Sequence, residues 1–216
     1  MQNKEISDLK SHNENLKDTV EHLEKYMKNY FELSLNSNII LKEYEKENII
    51  KLLRKGIKLK NNFNIIKLNL LFRASIDGDN NKAIHKCCDN ISPTLSIIQT
   101  KNNYIFGGYT DHIWDNYSGC VKTNNSFMFS LNKNKIYNGK KEHAHIHCGI
   151  TEGPWFCNGS GVQGDNYLKT EKSFQWGLKT NQETWENFNE AEEFELVGGT
   201  SNFMVKEVEV FKVEFI

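Results

Sequence analysis

Arginine is almost missing from this chain: Arg54 and Arg73 are its two copies, and 27 Lys and Arg stand against 28 Asp and Glu, for a formal net charge of −1. A near-neutral surface whose cations are nearly all lysine lacks the broad cationic face that a phosphate backbone requires, so nucleic acid is not an expected partner. Long apolar runs are missing as well. No stretch approaches the roughly 20 residues that cross a bilayer, and Met1 to Lys10 (MQNKEISDLK) has no apolar h-region, so no transmembrane segment is expected and the chain reads as cytoplasmic. The cysteines number five, Cys87 and Cys88 are adjacent, and no pair stands in CxxC spacing, so reduced thiols are expected rather than a disulfide framework. A GxSxG elbow, a P-loop and an HExxH helix are all absent, which leaves the common hydrolase nucleophile, phosphate cradle and metalloprotease unsupported.

What is present divides the 216 residues into a polar appendage and one mid-sized globular unit. Ile6, Leu9, Asn13, Leu16, Val20, Leu23, Met27 and Tyr30 recur in alternating steps of three and four, the a/d pattern of a left-handed coiled coil. Asn13 at an a position can pair with its twin across a parallel two-stranded seam, and Val20 at a between Leu16 and Leu23 at d also favours two strands. Residues 6–30 are therefore expected to form a parallel homodimer; the alternative is one amphipathic helix packed on its own domain. Residues 1–35 are assigned to this coiled-coil helix. Residues 36–60 read as a helical lead-in, with Ser37 or Asn38 as N-cap, Ile39, Ile40, Ile49, Ile50, Leu52 and Leu53 as its apolar positions, and Gly56 as its C′ residue.

Near residue 60 the hydrophobic period changes from about 3.6 to about 2. Short β-like runs follow between Asn and Gly turns: Leu68 to Ala74, Thr94 to Thr100, Tyr104 to Tyr109, Ser126 to Leu131, His143 to Cys148 and Val205 to Phe215. One helix is expected between Asn80 and Cys88. The fold class is α+β, mainly β: residues 61–216 form a sandwich of two antiparallel sheets with a few helices, preceded by the coiled-coil helix. The imperfect alternation of Val205 to Phe215 predicts a last strand with one buried face and one wet face.

Two clusters invite chemical readings. His143, His145 and His147 alternate in HAHIH, with Cys148 and Cys157 close in sequence, which raises a metal- or thiol-dependent site. Three histidines on one strand face are spaced by roughly 6.5–7 Å and converge on one ion only with strain, so the plainer reading is a wet strand face, and no metal or cofactor is assigned. Glu183 to Glu195 holds six acidic residues and no basic one, with Trp185, Phe188 and Phe194 interleaved: a solvated loop, or an acidic docking loop for a basic surface. Trp114, Trp155, Trp176 and Trp185 raise a sugar-stacking site, although large aromatics in a domain of this size more often form core.

At Leu71 to Gly78 the chain reads LFRASIDG, which resembles the L-[YF]-R-[AL]-S-x-D-G opening of the TLDc domain. Pro93-Thr94-Leu95, YIFGGYTDHIW (Tyr104 to Trp114), FMFSL (Phe127 to Leu131) and GGTSNFMVKEVEVFKV (Gly198 to Val213) continue the likeness in order, over roughly residues 40 to 216. The departure is CGITEGPWFCNGSGVQGDNY (Cys148 to Tyr167), which stands where better-known members carry a different glycine-rich segment. The resemblance implies a two-sheet β-sandwich. It also implies a non-catalytic protein-interaction role in oxidative-stress protection, or in binding and regulating the vacuolar proton-pumping ATPase. No catalytic residue is assigned.

Arg73, Ser75, Asp77, Gly78, Gly107, Gly108 and Glu209 are the family-motif positions and the candidate interaction residues. Asp77-Gly78 suits a turn whose Asp bonds the following backbone while Gly takes positive φ. Gly107-Gly108 permits a bulge or close sheet packing. Arg73 sits in a strand where Glu209 or Glu207 of the last strand can pair with it, and the pair expected is Arg73–Glu209, tying the first strand to the last. The rival reading from another class is a metal- or thiol-dependent enzyme built on His143, His145, His147, Cys148 and Cys157.

Overall fold

The computed structural model describes residues 2–32, 35–57, 66–115, 119–123, 125–140, 146–147, 149–156, 161–163, 168, 173–174, 184–198 and 202–215. It opens with α1 (Gln2–Glu32), whose described side chains, Ile6 and residues 9–24, are all exposed. After a turn at residues 37–40 comes α2 (Glu43–Gly56). This helix starts later than the expected Ser37 or Asn38 cap: Lys42 occupies the N-cap, and Glu45 reaches back to the amides of Leu41 and Lys42 at 3.2 and 3.1 Å. Ser37 caps the preceding turn instead, accepting from the amides of Ile39 and Ile40. Helical geometry runs through Gly56, where a Cβ would overlap the ring of Phe127, so the glycine marks close packing rather than a stop.

A large antiparallel sheet follows. Its members are β1 (Ile66–Arg73), β2 (Thr94–Thr100), β3 (Ile105–Thr110), β5 (Phe127–Ser130), β6 (Lys135–Asn138) and β12 (Val205–Phe215), in the order β1-β12-β2-β3-β5-β6. A second antiparallel sheet contains β4 (Cys120–Val121), β7 (Ile146–His147), β8 (Glu152–Trp155) and β9 (Gly161–Gln163) in the order β4-β7-β8-β9. A further pair joins β10 (Ser173–Phe174) to β11 (Asn202–Phe203). Helices α3 (Ala74–Asp77), α4 (Asn81–Cys88) and α5 (Glu190–Val197) complete the described elements. The mainly β, two-sheet architecture is the one expected, and α4 falls on the predicted Asn80–Cys88 segment, capped by the Asn80 side chain on the amide of Ala83 at 3.0 Å.

The large sheet is buried on both faces. On one, Phe72, Ile98, Phe106, Met128, Val208 and Val210 pack with Ile146 of β7 and with Phe156, just past β8. On the other, Leu68, Leu95, Ile97, Phe129, Phe211 and Val213 pack under Ile39, Ile40, Ile49, Leu52 and Leu53 of the lead-in and α2. This corrects the expectation of a half-wet last strand. β12 lies between β1 and β2 and is covered above and below, so both of its faces need side chains that tolerate burial, and its alternation is imperfect for that reason. The acidic run is corrected too. Its second half, from Glu190, lies in α5, where Glu195 pairs with Lys133 and Glu192 with Lys135, so its charge is partly spent on the chain's own lysines.

Candidate functional site

The signature positions meet at the seam between first and last strands. Arg73 closes β1 and stands opposite Glu209 of β12. The expected ion pair is formed, Arg73 Nε donating to Glu209 Oε1 at 2.7 Å, with side chains 6% and 0% exposed. Neither charge stops at the other. Arg73 Nη2 donates to the Asn36 carbonyl at 2.9 Å, Ser37 Oγ donates to Glu209 Oε2 at 2.5 Å, and the Asn38 amide donates to Glu209 Oε1 at 2.7 Å. A desolvated pair is sustained only when its remaining donors and acceptors are met, and here the lead-in at residues 36–38 meets them. This role of Asn36, Ser37 and Asn38 was invisible in the sequence, where Ser37 carried a helix-cap signal that masked a long-range one.

The neighbouring motif residues extend the seam. The Ser75 amide donates to Glu207 Oε1 at 3.1 Å, and Val208 N shares that oxygen at 3.0 Å. Asp77 does not bond the backbone that follows it. Its Oδ2 accepts from the Arg73 amide at 2.8 Å, because α3 curls the chain back over the end of β1. Gly78 does adopt the positive φ expected of it, 116°.

Gly107 and Gly108 serve opposite faces. In the sheet register Arg73, Glu209, Ile97 and Gly107 form one row, and Phe72, Val210, Ser96 and Gly108 form the next. A Cβ on Gly107 would overlap the Ser96 carbonyl, while one on Gly108 would overlap the Phe156 ring of the small-sheet layer. The register through β3 is unbroken, so close packing rather than a bulge explains the pair. The seven motif positions therefore gather along the sheet without sharing one surface: Arg73 and Glu209 are buried, Ser75 and Asp77 are exposed on α3, and the two glycines act as spacers.

Of the histidine and cysteine set, only His147 lies among the described residues; His143, His145, Cys148 and Cys157 lie outside them. His147 Nδ1 accepts from the Gly149 amide at 3.2 Å and stands 3.5 Å from Glu152 Oε2. Among the described residues no three His, Cys, Asp or Glu side chains gather in a metal-holding group. The expectation of reduced thiols holds at Cys87 and Cys88 and is corrected at Cys120, which is disulfide-bonded. β4 stands opposite β7, a pairing of distant segments that leaves no trace in cysteine spacing. Burial, followed by the charge of neighbouring groups, pushes the Cys88 thiol far up, and burial with the nearby Asp77 raises Cys87, so neither is poised as a thiolate.

The sequence also spells one G-x-G-x-x-G, from Gly159 to Gly164. Gly161–Gln163 is β9, antiparallel to β8, rather than the strand–turn–helix of a dinucleotide site. Trp114, Trp155 and Trp185 are buried core residues, which removes the sugar-stacking reading for them; Trp176 lies outside the described residues.

Along the edge of the large sheet, Tyr137 Oη and Lys135 both reach Glu192 of α5, the first at 2.5 Å. Burial opposes ionisation of Glu192, but the bonds from Lys135 and Tyr137 outweigh it and hold the carboxyl below its ordinary 4.5. Burial and that same carboxylate raise the Tyr137 phenol.

No helix among the described residues is long and apolar enough to cross a membrane. None of the curated proteins compared with the chain matches it. The profile of the TLDc domain, by contrast, matches residues 34–214, a span that takes in the 36–38 lead-in, the Arg73–Glu209 seam and both glycine spacers. The chain belongs to the TLDc domain family, an interaction-type family linked to oxidative-stress resistance.

Proposed function

We propose that this protein is a non-catalytic, cytoplasmic interaction module that acts in oxidative-stress protection through a protein partner, the vacuolar proton-pumping ATPase. One observation carries the non-catalytic reading: the two buried charges of the family signature, Arg73 and Glu209, are spent on each other and on the lead-in. Arg73 and Glu209 bind each other and the lead-in, Glu207 binds the amides of Ser75 and Val208, and Asp77 binds the Arg73 amide. Groups committed to holding the fold are not available to hold a substrate. The outer surface is then what does the work.

The module works as a parallel homodimer through residues 6–30. Ile6, Leu9, Leu16, Val20 and Leu23 of α1 are 50–65% exposed, and a helix that leaves its apolar stripe in water gains its stability from whatever covers that stripe. A second copy with Asn13 facing Asn13 covers it in register.

Affinity capture of the full chain from a cell lysate, followed by mass spectrometry, tests the partner: reproducible enrichment of pump subunits over a control bait supports it, and their consistent absence removes it. Sedimentation equilibrium tests the dimer, with a monomer mass at tens of micromolar as the outcome against it.

A further inference from the structure

We propose that the cleft between the start of α2 and the turns at 101–104 and 131–134 is a docking site for an acidic peptide segment of a partner protein. The cleft has a volume of about 600 Å³, within the range that receives a ligand, and a buried apolar floor of Ile39, Ile105 and Leu131. It lies where the cover over the large sheet ends. Leu95 and Ile97 of β2 are packed under the lead-in and α2, whereas Gln99, the next residue on that face, is half-buried and lines the cleft. Asn48 of α2, also half-buried, lines it too. Neither side-chain amide has a hydrogen-bond partner among the described residues.

Two lysines face the same space. Lys42 is the N-cap of α2, where a cation meets the positive end of the helix and a Ser, Asp or Asn would stabilise it better. Lys206 is an extra residue in the ladder. Val205 stands opposite Thr100 and Glu207 opposite Gln99, so the register shifts and Lys206 is turned out, exposed, between two buried neighbours. Lys42 Nζ donates to Tyr44 Oη at 3.2 Å and stands 3.8 Å from Glu45 Oε1, while Lys206 Nζ reaches Asn103 Oδ1 at 3.4 Å. Glu45 is the carboxylate in the lining, and its other oxygen accepts from the amides of Leu41 and Lys42. Around the rim, Glu43 pairs with Lys46, Glu47 with Lys51, and Glu207 with two backbone amides. The flanking turns add Lys101 and Lys133, the second paired with Glu195. The charge open to a ligand is therefore positive.

These parts match an acidic peptide. A side-chain amide carries two donors and an acceptor, the complement of a peptide group, so Asn48 and Gln99 take backbone N–H and C=O while Lys42 and Lys206 take a carboxylate. Leu41 and Tyr44 of the lining are 70% and 56% exposed, placed to cover an apolar side chain next to that carboxylate. Exposed lysines set selectivity and on-rate more than affinity, so binding should be weak and salt-sensitive. The site is independent of the proposed pump contact and of the α1 pairing.

Side-chain amide NMR on the full chain, titrated with two pools of short synthetic peptides, tests this. One pool alternates Asp or Glu with random apolar residues; the other carries Asn or Gln at the acidic positions. The acidic pool should shift the Asn48 and Gln99 side-chain signals with a Kd at least about fivefold below that of the neutral pool, and raising salt from about 0.05 M to about 0.5 M should bring the two together. The double change Lys42→Ala and Lys206→Ala removes two exposed side chains, so the backbone spectrum should stay as it is while the preference for the acidic pool disappears. An equal response to the two pools, shifts confined to residues away from the cleft, or an undiminished preference in the double variant overturns the site. Acetate that reproduces the shifts at the same carboxylate concentration overturns the peptide and assigns the cleft to a small anion.

Discussion

Two amphipathic helices stand on either side of residue 36, and they meet opposite fates. α2 buries Ile49, Leu52 and Leu53 against the large sheet, whereas α1, more than twice its length, keeps its described apolar positions in water. Their sequences carry equally regular stripes; what differs is what lies within reach. The α2 segment is preceded by residues 36–38, which are bonded into the Arg73–Glu209 seam, so the helix begins already docked. α1 lies before that anchor and is free to seek a partner outside its own domain. An apolar stripe states that a helix must be covered and is silent on what covers it.

Breaking the anchor should have the largest effect. Glu209→Ala leaves Arg73 buried without its carboxylate and strips the partners of Ser37 and Asn38, so a loss of about 3–5 kcal/mol in denaturant unfolding is expected, with new protease sensitivity at residues 36–40. A loss under about 1 kcal/mol would mean that the apolar face of α2, not the anchor, holds the lead-in. Leu53→Ala attacks that face directly and should cost about 2–5 kcal/mol by leaving a cavity over the sheet. On the opposite layer, Gly108→Ala should cost about 1–3 kcal/mol, because the new methyl meets the Phe156 ring.

Acid should act more gently. Glu192 is held below 4.5 by Lys135 and Tyr137, so its contribution is present above that value and lost as pH falls through the depressed one; the α5 amides should exchange faster there, an effect that Glu192→Gln abolishes. The smallest effect on the domain should come from α1. The double change Leu16→Glu and Leu23→Glu should shift domain unfolding by no more than about 0.5 kcal/mol, while sedimentation reports a monomer. A large drop in domain stability would instead place the α1 stripe against its own domain.

Much of this was legible in the residues. Thr94 to Thr100 and Val205 to Phe215 matched their strands end to end, since β-branched runs between turn residues leave few other choices. The Arg73–Glu209 pair was readable because arginine is so scarce that one placed in a strand demands a carboxylate. The short strands β4, β8 and β9 were not readable: two to four residues carry no period, and their pairing comes from tertiary contact. Ser37 misled because a hydroxyl caps a turn and a helix alike, and nothing local distinguishes a bond to the next amides from one to a carboxylate 172 positions away. The acidic run misled in the same way, since its lysine partners sit on a hairpin some 60 residues earlier.

The place of β12 has a consequence for biosynthesis. Strands β1 and β2, made early, never touch in the large sheet except through this late segment between them. A chain halted before Val205 has its lead-in hydroxyl and amide waiting, an arginine without its counter-ion, and two hydrophobic strand edges unpaired. The large sheet therefore cannot close from its earlier strands alone: the pairing at its centre waits on a segment made after every other described strand.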